Sequence, residues 1–207
     1  GAYGNLQVRA SWVATNYSIT IDPNGGSSVS DPADYRINSS DQTRALTEPT
    51  RANYEFTGWS ITGNSYPNSS VSGNTLTIKA NATGSIKLRA NWAAIYNITT
   101  NANGGSGGAQ DRTYTVSSST QNISMPAPSR GGYSFDGWEV SGTSGATSSG
   151  TTLTIPANAT GAIALKATWA GNKYTVSLNQ NGGSTGSIAP TQYVTDGVTT
   201  KLTIDPP

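Results

Sequence analysis

The chain has no cysteine and no histidine, one methionine, two phenylalanines and only 11% charged residues. An ordinary globular domain has about 25% charged residues. Each shortage excludes something. Without cysteine there are no disulfides and no thiol nucleophile. Without histidine there is no imidazole base, and the usual zinc ligand sets are gone. Twelve Lys and Arg stand against eleven Asp and Glu, for a net charge of +1. They form no basic run, which argues against a nucleic-acid-binding surface. No run of about 18 apolar residues exists, so no segment is suited to membrane insertion as a helix.

What is present is polar without being charged. Gly, Ser, Thr and Asn make up 98 of the 207 residues. Five Trp and ten Tyr supply material for a core, and the small net charge gives no drive toward disorder.

The sequence repeats. Tyr17-Ser-Ile-Thr-Ile-Asp-Pro-Asn-Gly-Gly returns as Tyr96-Asn-Ile-Thr-Thr-Asn-Ala-Asn-Gly-Gly, and again as Tyr174-Thr-Val-Ser-Leu-Asn-Gln-Asn-Gly-Gly. Tyr54-Glu-Phe-Thr-Gly-Trp returns as Tyr133-Ser-Phe-Asp-Gly-Trp. Thr75-Leu-Thr-Ile returns as Thr152-Leu-Thr-Ile, and Ala90-Asn-Trp as Ala167-Thr-Trp. A fixed period of nearly 80 residues marks a tandem array. The closing signature also occurs as Leu6-Gln-Val-Arg-Ala-Ser-Trp. Residues 1–12 therefore read as the closing strand of a preceding unit, 13–92 and 93–169 as full units, and 170–207 as the first part of a further, truncated unit. The expectation is a section of a longer array.

Each unit reads as short strands separated by turns. Tyr17, Ile19 and Ile21 alternate with Ser18, Thr20 and Asp22, the period of a half-buried strand. Asn24-Gly25 ends it, because Asn-Gly reaches positive φ at little cost. A looser strand region holds Tyr35, Ile37 and Leu46, with Tyr114, Val116, Ile123 and Met125 as counterparts. Ile86, Leu88, Ala90 and Trp92 share one face of the closing strand, and Ser85, Lys87, Arg89 and Asn91 the other. In residues 54–59 the alternation puts Phe56 and Trp59 on opposite faces. A bulge at Gly58, and at Gly137 in the second unit, would bring both rings to the core. No segment has a sustained helical period. Any helix is short, with residues 31–36 or 41–46 as candidates. The fold class expected is β-rich, from all-β to α+β with little helix.

The order Tyr-x-Ile/Val…Asn-Gly-Gly, then Pro-x-x-Arg-x-x-Tyr-x-Phe-x-Gly-Trp, then Ala-x-Trp resembles the Listeria–Bacteroides repeat, the B-repeat of internalin-type bacterial surface proteins. The carriers are residues 17–26, 49–59 with Arg51, and 90–92 in the first unit. In the second they are 96–105, 128–138 and 167–169. The third unit matches only over 174–183. The resemblance implies tandem small β-grasp-like (ubiquitin-like) domains, arranged as an elongated rod because three or four residues separate one unit's closing Trp from the next unit's opening Tyr. It implies a stalk or spacer of a bacterial surface adhesin, extracellular at the cell surface or wall. It carries no catalytic residue, cofactor or defined ligand. The segment between Trp59 and Trp92 is longer than in common members, which suggests an added hairpin.

Three chemistries find little support in the residues themselves. Paired carboxylates for glycoside hydrolysis are absent, since Asp22 is Asn101 and Asn179 in the other units and Glu55 is Ser134. Asp22 with Asn24, or Asp31 with Asp34, offers hard oxygens for calcium but no calcium-loop spacing, so turn chemistry is the better account. A Lys–Asn isopeptide bond common to both units fails because Lys79 and Lys87 correspond to Pro156 and Ala164. No cofactor or metal site is therefore expected, and no enzyme. Trp59, Trp92, Trp138 and Trp169 are assigned to the core by their repeat positions. Tyr35, Tyr66 and Tyr114 are less constrained and are the candidates for an exposed platform contacting a glycan or a host surface protein. The basic position three before the closing Trp recurs as Arg9, Arg89 and Lys166, on the outward face.

Overall fold

The computed structural model describes residues 4–5, 7–184 and 191–194. Among these the protein is all β, with no helix. It divides into two compact units, Gly1–Ala94 and Ile95–Pro207.

In the first unit the strands are β1 (Ile19–Asp22), β2 (Gln42–Ala45), β3 (Tyr54–Gly63), β4 (Ser70–Ser72), β5 (Thr75–Ile78) and the first nine residues of β6 (Ile86–Asn101). β6 lies between β1 and β3. It runs parallel to β1, with Ile19 opposite Ile86 and Asp22 opposite Arg89. It runs antiparallel to β3, from Tyr54 opposite Ala94 to Gly63 opposite Lys87. A second sheet has the order β2-β5-β4, all antiparallel. Within the segment between Trp59 and Trp92, β4 and β5 form a hairpin that turns at Gly73 with φ +53°.

The second unit repeats this plan. The rest of β6 is followed by β7 (Arg112–Thr115), β8 (Gln121–Ser124), β9 (Tyr133–Gly142), β10 (Thr147–Ser149), β11 (Thr152–Ile155) and β12 (Ile163–Gly171). β12 is parallel to the end of β6, with Ile98 opposite Ile163, and antiparallel to β9. β7 lies antiparallel to β6. β8, β11 and β10 form the second sheet. Beyond it, β13 (Lys173–Val176) pairs with β14 (Thr191–Val194).

Alternation explains which faces are buried. Ile86, Leu88 and Ala90 are fully buried, while Lys87 and Arg89 between them are exposed. They share one cluster with Ile19, Tyr35, Leu46, Trp59, Leu76, Ile78 and Ala82. The second unit builds the same cluster from Ile98, Tyr114, Met125, Trp138, Leu153, Ile155, Ala159, Ile163, Leu165 and Ala167, joined by Ala109. Each core thus forms where two sheets turn their apolar faces to one another.

The parity of the third strand resolves as the sequence suggests. Phe56 faces Trp92 and Gly58 faces Asn91, so Thr57 is an extra residue in the ladder. In β9 Asp136 is the extra residue, between the Phe135–Trp169 and Gly137–Thr168 pairs. Gly58 and Gly137 take φ of +122° and +137°, which a side chain would strain. The bulge brings Phe56 within 5.1 Å of Trp59 and 5.6 Å of Trp92, ring centre to ring centre, both edge to face. Phe135 makes the same two contacts at 5.3 and 5.8 Å. Such pairs each add about 0.5–1.5 kcal/mol beyond simple burial.

The helix candidates are corrected. Residues 31–36 have no regular structure beyond a bridge at Tyr35, and Gln42–Ala45 is a strand. Its backbone is claimed by the Thr75–Ile78 ladder, and tertiary pairing overrides weak local preference. Residues 7–16 hold no strand, and Trp12 is 90% exposed.

Candidate functional site

The recurring constellation is built where the opening strand ends. In the first unit Pro23, Asn24, Gly25 and Gly26 form a turn closed by Gly26 N–H donating to Pro23 O at 2.9 Å. Asn24 and Gly25 have φ of +50° and +82°, as a type I′ turn requires at both central positions. The Asp22 carboxylate accepts from Asn24 N–H at 2.8 Å, and Asn101 serves Asn103 the same way. The Asn for Asp exchange between units preserves this bond, so position 22 is turn chemistry. That accounts for Asp22 and Asn24 without calcium.

The closing Trp sits on this elbow. Trp92 Nε1 donates to Pro23 O at 3.1 Å, and Trp169 Nε1 to Ala102 O at 3.2 Å. A Cβ at Gly26 or Gly105 would lie 2.5 Å from the indole Cζ2. The second glycine of Asn-Gly-Gly is thus a matter of close approach, distinct from the φ demanded of the first. Arg51 completes the corner. Its guanidinium lies 3.8 Å from the centre of the Tyr54 ring and donates to Asn24 O at 3.3 Å. Arg130 covers Tyr133 at 3.9 Å. This gives the Arg-x-x-Tyr spacing its physical reason, a partly buried cation–π pair.

Two acids recur in a role that the sequence reading did not give them, Asp31 having been weighed only for calcium and Asp111 not at all. Asp31 accepts from Ile21 N–H, and Asp111 from Thr100 N–H, both at 2.7 Å. Each satisfies a strand N–H on the opening strand. The signal was present as an acid shortly before Tyr35 and before Tyr114, but the offset differs by one residue between the units.

The candidate platform tyrosines separate sharply. Tyr35 and Tyr114 are 1% and 3% exposed, so their assignment to a surface platform is corrected. Each packs against the opening tyrosine of its unit, Tyr17 at 5.4 Å and Tyr96 at 5.8 Å. Each donates its hydroxyl to a backbone carbonyl, of Gly84 and of Gly161. A buried hydroxyl with a fixed acceptor is a core residue with a polar tip. Tyr66 is 80% exposed. Its backbone pairs with Thr83 in both directions, and the loop is held by Asn64 Oδ1, which accepts from Ser65 N–H and Ser69 N–H. The buried Ser65 and Ser69 hydroxyls bond one another at 2.6 Å. The second unit has Thr143-Ser-Gly-Ala here and no aromatic. Of the Trp signature, Trp59 and Trp138 are buried, while Trp92 and Trp169 are half-buried against the cores.

The remaining polar chemistry is local and satisfied. Lys79 and Asp41 pair at 2.9 Å with both side chains nearly half exposed, and Arg89 reaches Asp22 at 3.4 Å. Hydrogen bonds from Lys79 and from Ala80 N–H hold the Asp41 carboxyl below its ordinary range. Among the described residues, no three of His, Cys, Asp and Glu are placed to hold a metal, and every buried side-chain nitrogen and oxygen has a partner. A shallow, open depression lies among Asn97, Ile98, Thr99, Asp111, Arg112 and Thr113, but its acid is already bonded to Thr100.

The sequence profile of the Listeria-Bacteroides repeat domain matches residues 17–88 and again residues 96–166. The chain belongs to this family of repeats, which is typical of bacterial surface proteins and generally non-catalytic. The two matches begin at the opening tyrosines and end within the closing strands, so they take in the elbow and the Arg–Tyr pair and stop short of Trp92 and Trp169. No curated protein and no solved structure matches the chain. No helix among the described residues is long and apolar enough to cross a membrane.

The buried tyrosines set an alkaline limit. Burial raises both hydroxyls above the ordinary value of 10.0, with Tyr17 and Tyr96 adding to it. A raised folded-state value contributes stability that is intact below about pH 10 and is lost as pH climbs beyond it. Urea unfolding should show a plateau to that point and a fall above it. Tyr35→Phe with Tyr114→Phe should lessen that fall, and each should cost about 0.5–1.5 kcal/mol at neutral pH.

Proposed function

We propose that these repeats are non-catalytic spacers in the stalk of a bacterial cell-surface adhesin, projecting a distal binding region outward from the cell wall. The observation that carries this reading is the placement of each unit's two ends. The opening and closing strands are neighbours and parallel, Ile19–Asp22 against Ile86–Arg89 and Ile98–Asn101 against Ile163–Lys166. Tension applied between the start of the opening strand and the end of the closing strand loads that whole ladder in shear. The bonds then resist together, where a peeling geometry would break them in turn. A parallel pair of this kind is also what a β-grasp-like unit needs, with the second sheet covering the face where a helix would otherwise pack.

The uncharged polar surface fits an extracellular setting, since little of its stability depends on ion pairs that salt would screen. The proposed partners are neighbouring repeats of the same chain. An elongated rod rests on the short connections, three residues from Trp92 to Tyr96 and four from Trp169 to Tyr174. Small-angle scattering from the intact chain tests the spacer reading. An extended profile is expected, and a compact globular one would overturn it.

A second reading is favoured by Tyr66 alone. An exposed ring on a loop pinned by Asn64 and Thr83 suits stacking against a sugar face or a host surface protein. On this reading a glycan array gives a specific signal that Tyr66→Ala abolishes. A signal unchanged by Tyr66→Ala removes Tyr66 from any binding role.

A further inference from the structure

The Asn-Gly elbow occurs three times, at Asn24, Asn103 and Asn181, and its backbone is nearly the same each time. The Asn φ values are +50°, +48° and +47°, and the following Gly values are +82°, +84° and +93°. Each elbow is closed by the same bond, Gly26 N–H to Pro23 O, Gly105 N–H to Ala102 O and Gly183 N–H to Gln180 O, at 2.9–3.0 Å. Each Asn N–H is also held by an Asx side chain two residues earlier.

The carboxamides differ. Asn24 Nδ2 donates to Ala90 O on the closing strand at 2.9 Å, and its Oδ1 accepts from Arg89 at 2.7 Å. Asn103 Nδ2 donates to Ala167 O at 2.9 Å, but Lys166 stands where Arg89 did and no donor reaches Oδ1 among the described residues. The Asn181 side chain is exposed and makes neither bond among the described residues.

Asparagine followed by glycine is the sequence most open to self-catalysed deamidation, because glycine has no side chain to hinder its own amide nitrogen. Hydroxide removes the proton from the Gly N–H, and the nitrogen attacks Asn Cγ. A new N–Cγ bond forms, the Cγ–Nδ2 bond breaks, and ammonia leaves. Water then opens the cyclic imide at either carbonyl, leaving aspartate or isoaspartate. The attack needs the carboxamide to swing from its place onto the glycine nitrogen. A carboxamide tied at both ends to the closing strand must first let go of it.

We infer that the three elbows are graded deamidation sites, Asn181 fastest, Asn103 intermediate and Asn24 slowest, with the closing strand as the shield. The bond from Nδ2 to the closing-strand carbonyl is the larger part of the protection. Arg89 adds a second hold that only the first unit has. The product matters to the fold. Isoaspartate adds a carbon to the backbone inside the turn whose carbonyl receives the Trp indole. Ageing at the Asn24 or Asn103 elbow therefore unseats the closing Trp of its unit.

The test is peptide mapping by mass spectrometry of the intact chain, held at mildly alkaline pH and sampled over weeks. One net hydrogen bond corresponds to about a tenfold difference in rate, so Asn181 should convert about ten times faster than Asn103. Asn24 should be slower still by several-fold. Arg89→Ala should bring Asn24 to the rate of Asn103 and leave the other two sites unchanged, with Trp fluorescence confirming that the first unit stays folded. Equal rates at the three sites in the unmodified chain would overturn the inference without any variant. So would an Asn24 rate that Arg89→Ala does not change in a folded first unit.

Discussion

Each unit depends on the closing strand finding its place beside the opening strand. Those two segments are separated by more than sixty residues in the chain, yet they pair in parallel, Ile19 opposite Ile86 and Ile98 opposite Ile163. The closing strand supplies buried residues on one face and ladder bonds on both edges. Its final Trp fixes the register by landing on the Asn-Gly-Gly elbow. Remove that strand and the opening strand loses its ladder, the elbow its indole, the Phe one of its two aromatic partners and the Asn carboxamide its acceptor.

This arrangement separates what both units share from what each varies. The shared parts all converge on the elbow: the Asx turn, the two glycines, the Arg over the Tyr, the bulge that turns Phe and Trp inward. Between Gly63 and Ser70 the first unit places a pinned loop with an exposed Tyr, where the second has small residues. The face of Arg89 and Lys166 varies as well, with an ion pair to Asp22 in one unit and Asn101 standing opposite Lys166 in the other. Such a design keeps the parallel ladder and leaves loops free to differ. Among the described residues no three of His, Cys, Asp and Glu are gathered where they could hold a metal.

Much of this was legible in the sequence because repetition supplied an internal comparison. The strand alternation of residues 86–92 and the bulge at Gly58 follow from period alone, since a parity conflict beside a glycine has few solutions. Tyr35 and Tyr114 were not legible. They lie in segments with little alternation around them, and only the fold shows that a carbonyl at Gly84 or Gly161 waits for each hydroxyl. The strand at Gln42–Ala45 stood between two readings, a looser strand region and a short helix, because four residues carry too weak a pattern to show which ladder will claim them. The equivalence of Asp31 and Asp111 escaped because a one-residue shift hides it when positions are compared by spacing, while the strand N–H they satisfy is the same.

The claim that the parallel opening–closing ladder is the mechanical element of each unit is tested most directly by pulling on it. The chain has no cysteine, so handles can be placed at will. Thr15→Cys with Ala93→Cys loads the first unit's ladder in shear. Thr15→Cys with Ser85→Cys pulls on adjacent ends of the same two strands and peels them apart. The account predicts a rupture force clearly higher in the first geometry than in the second. Equal forces in the two geometries would contradict it, because the resistance would then lie elsewhere in the unit.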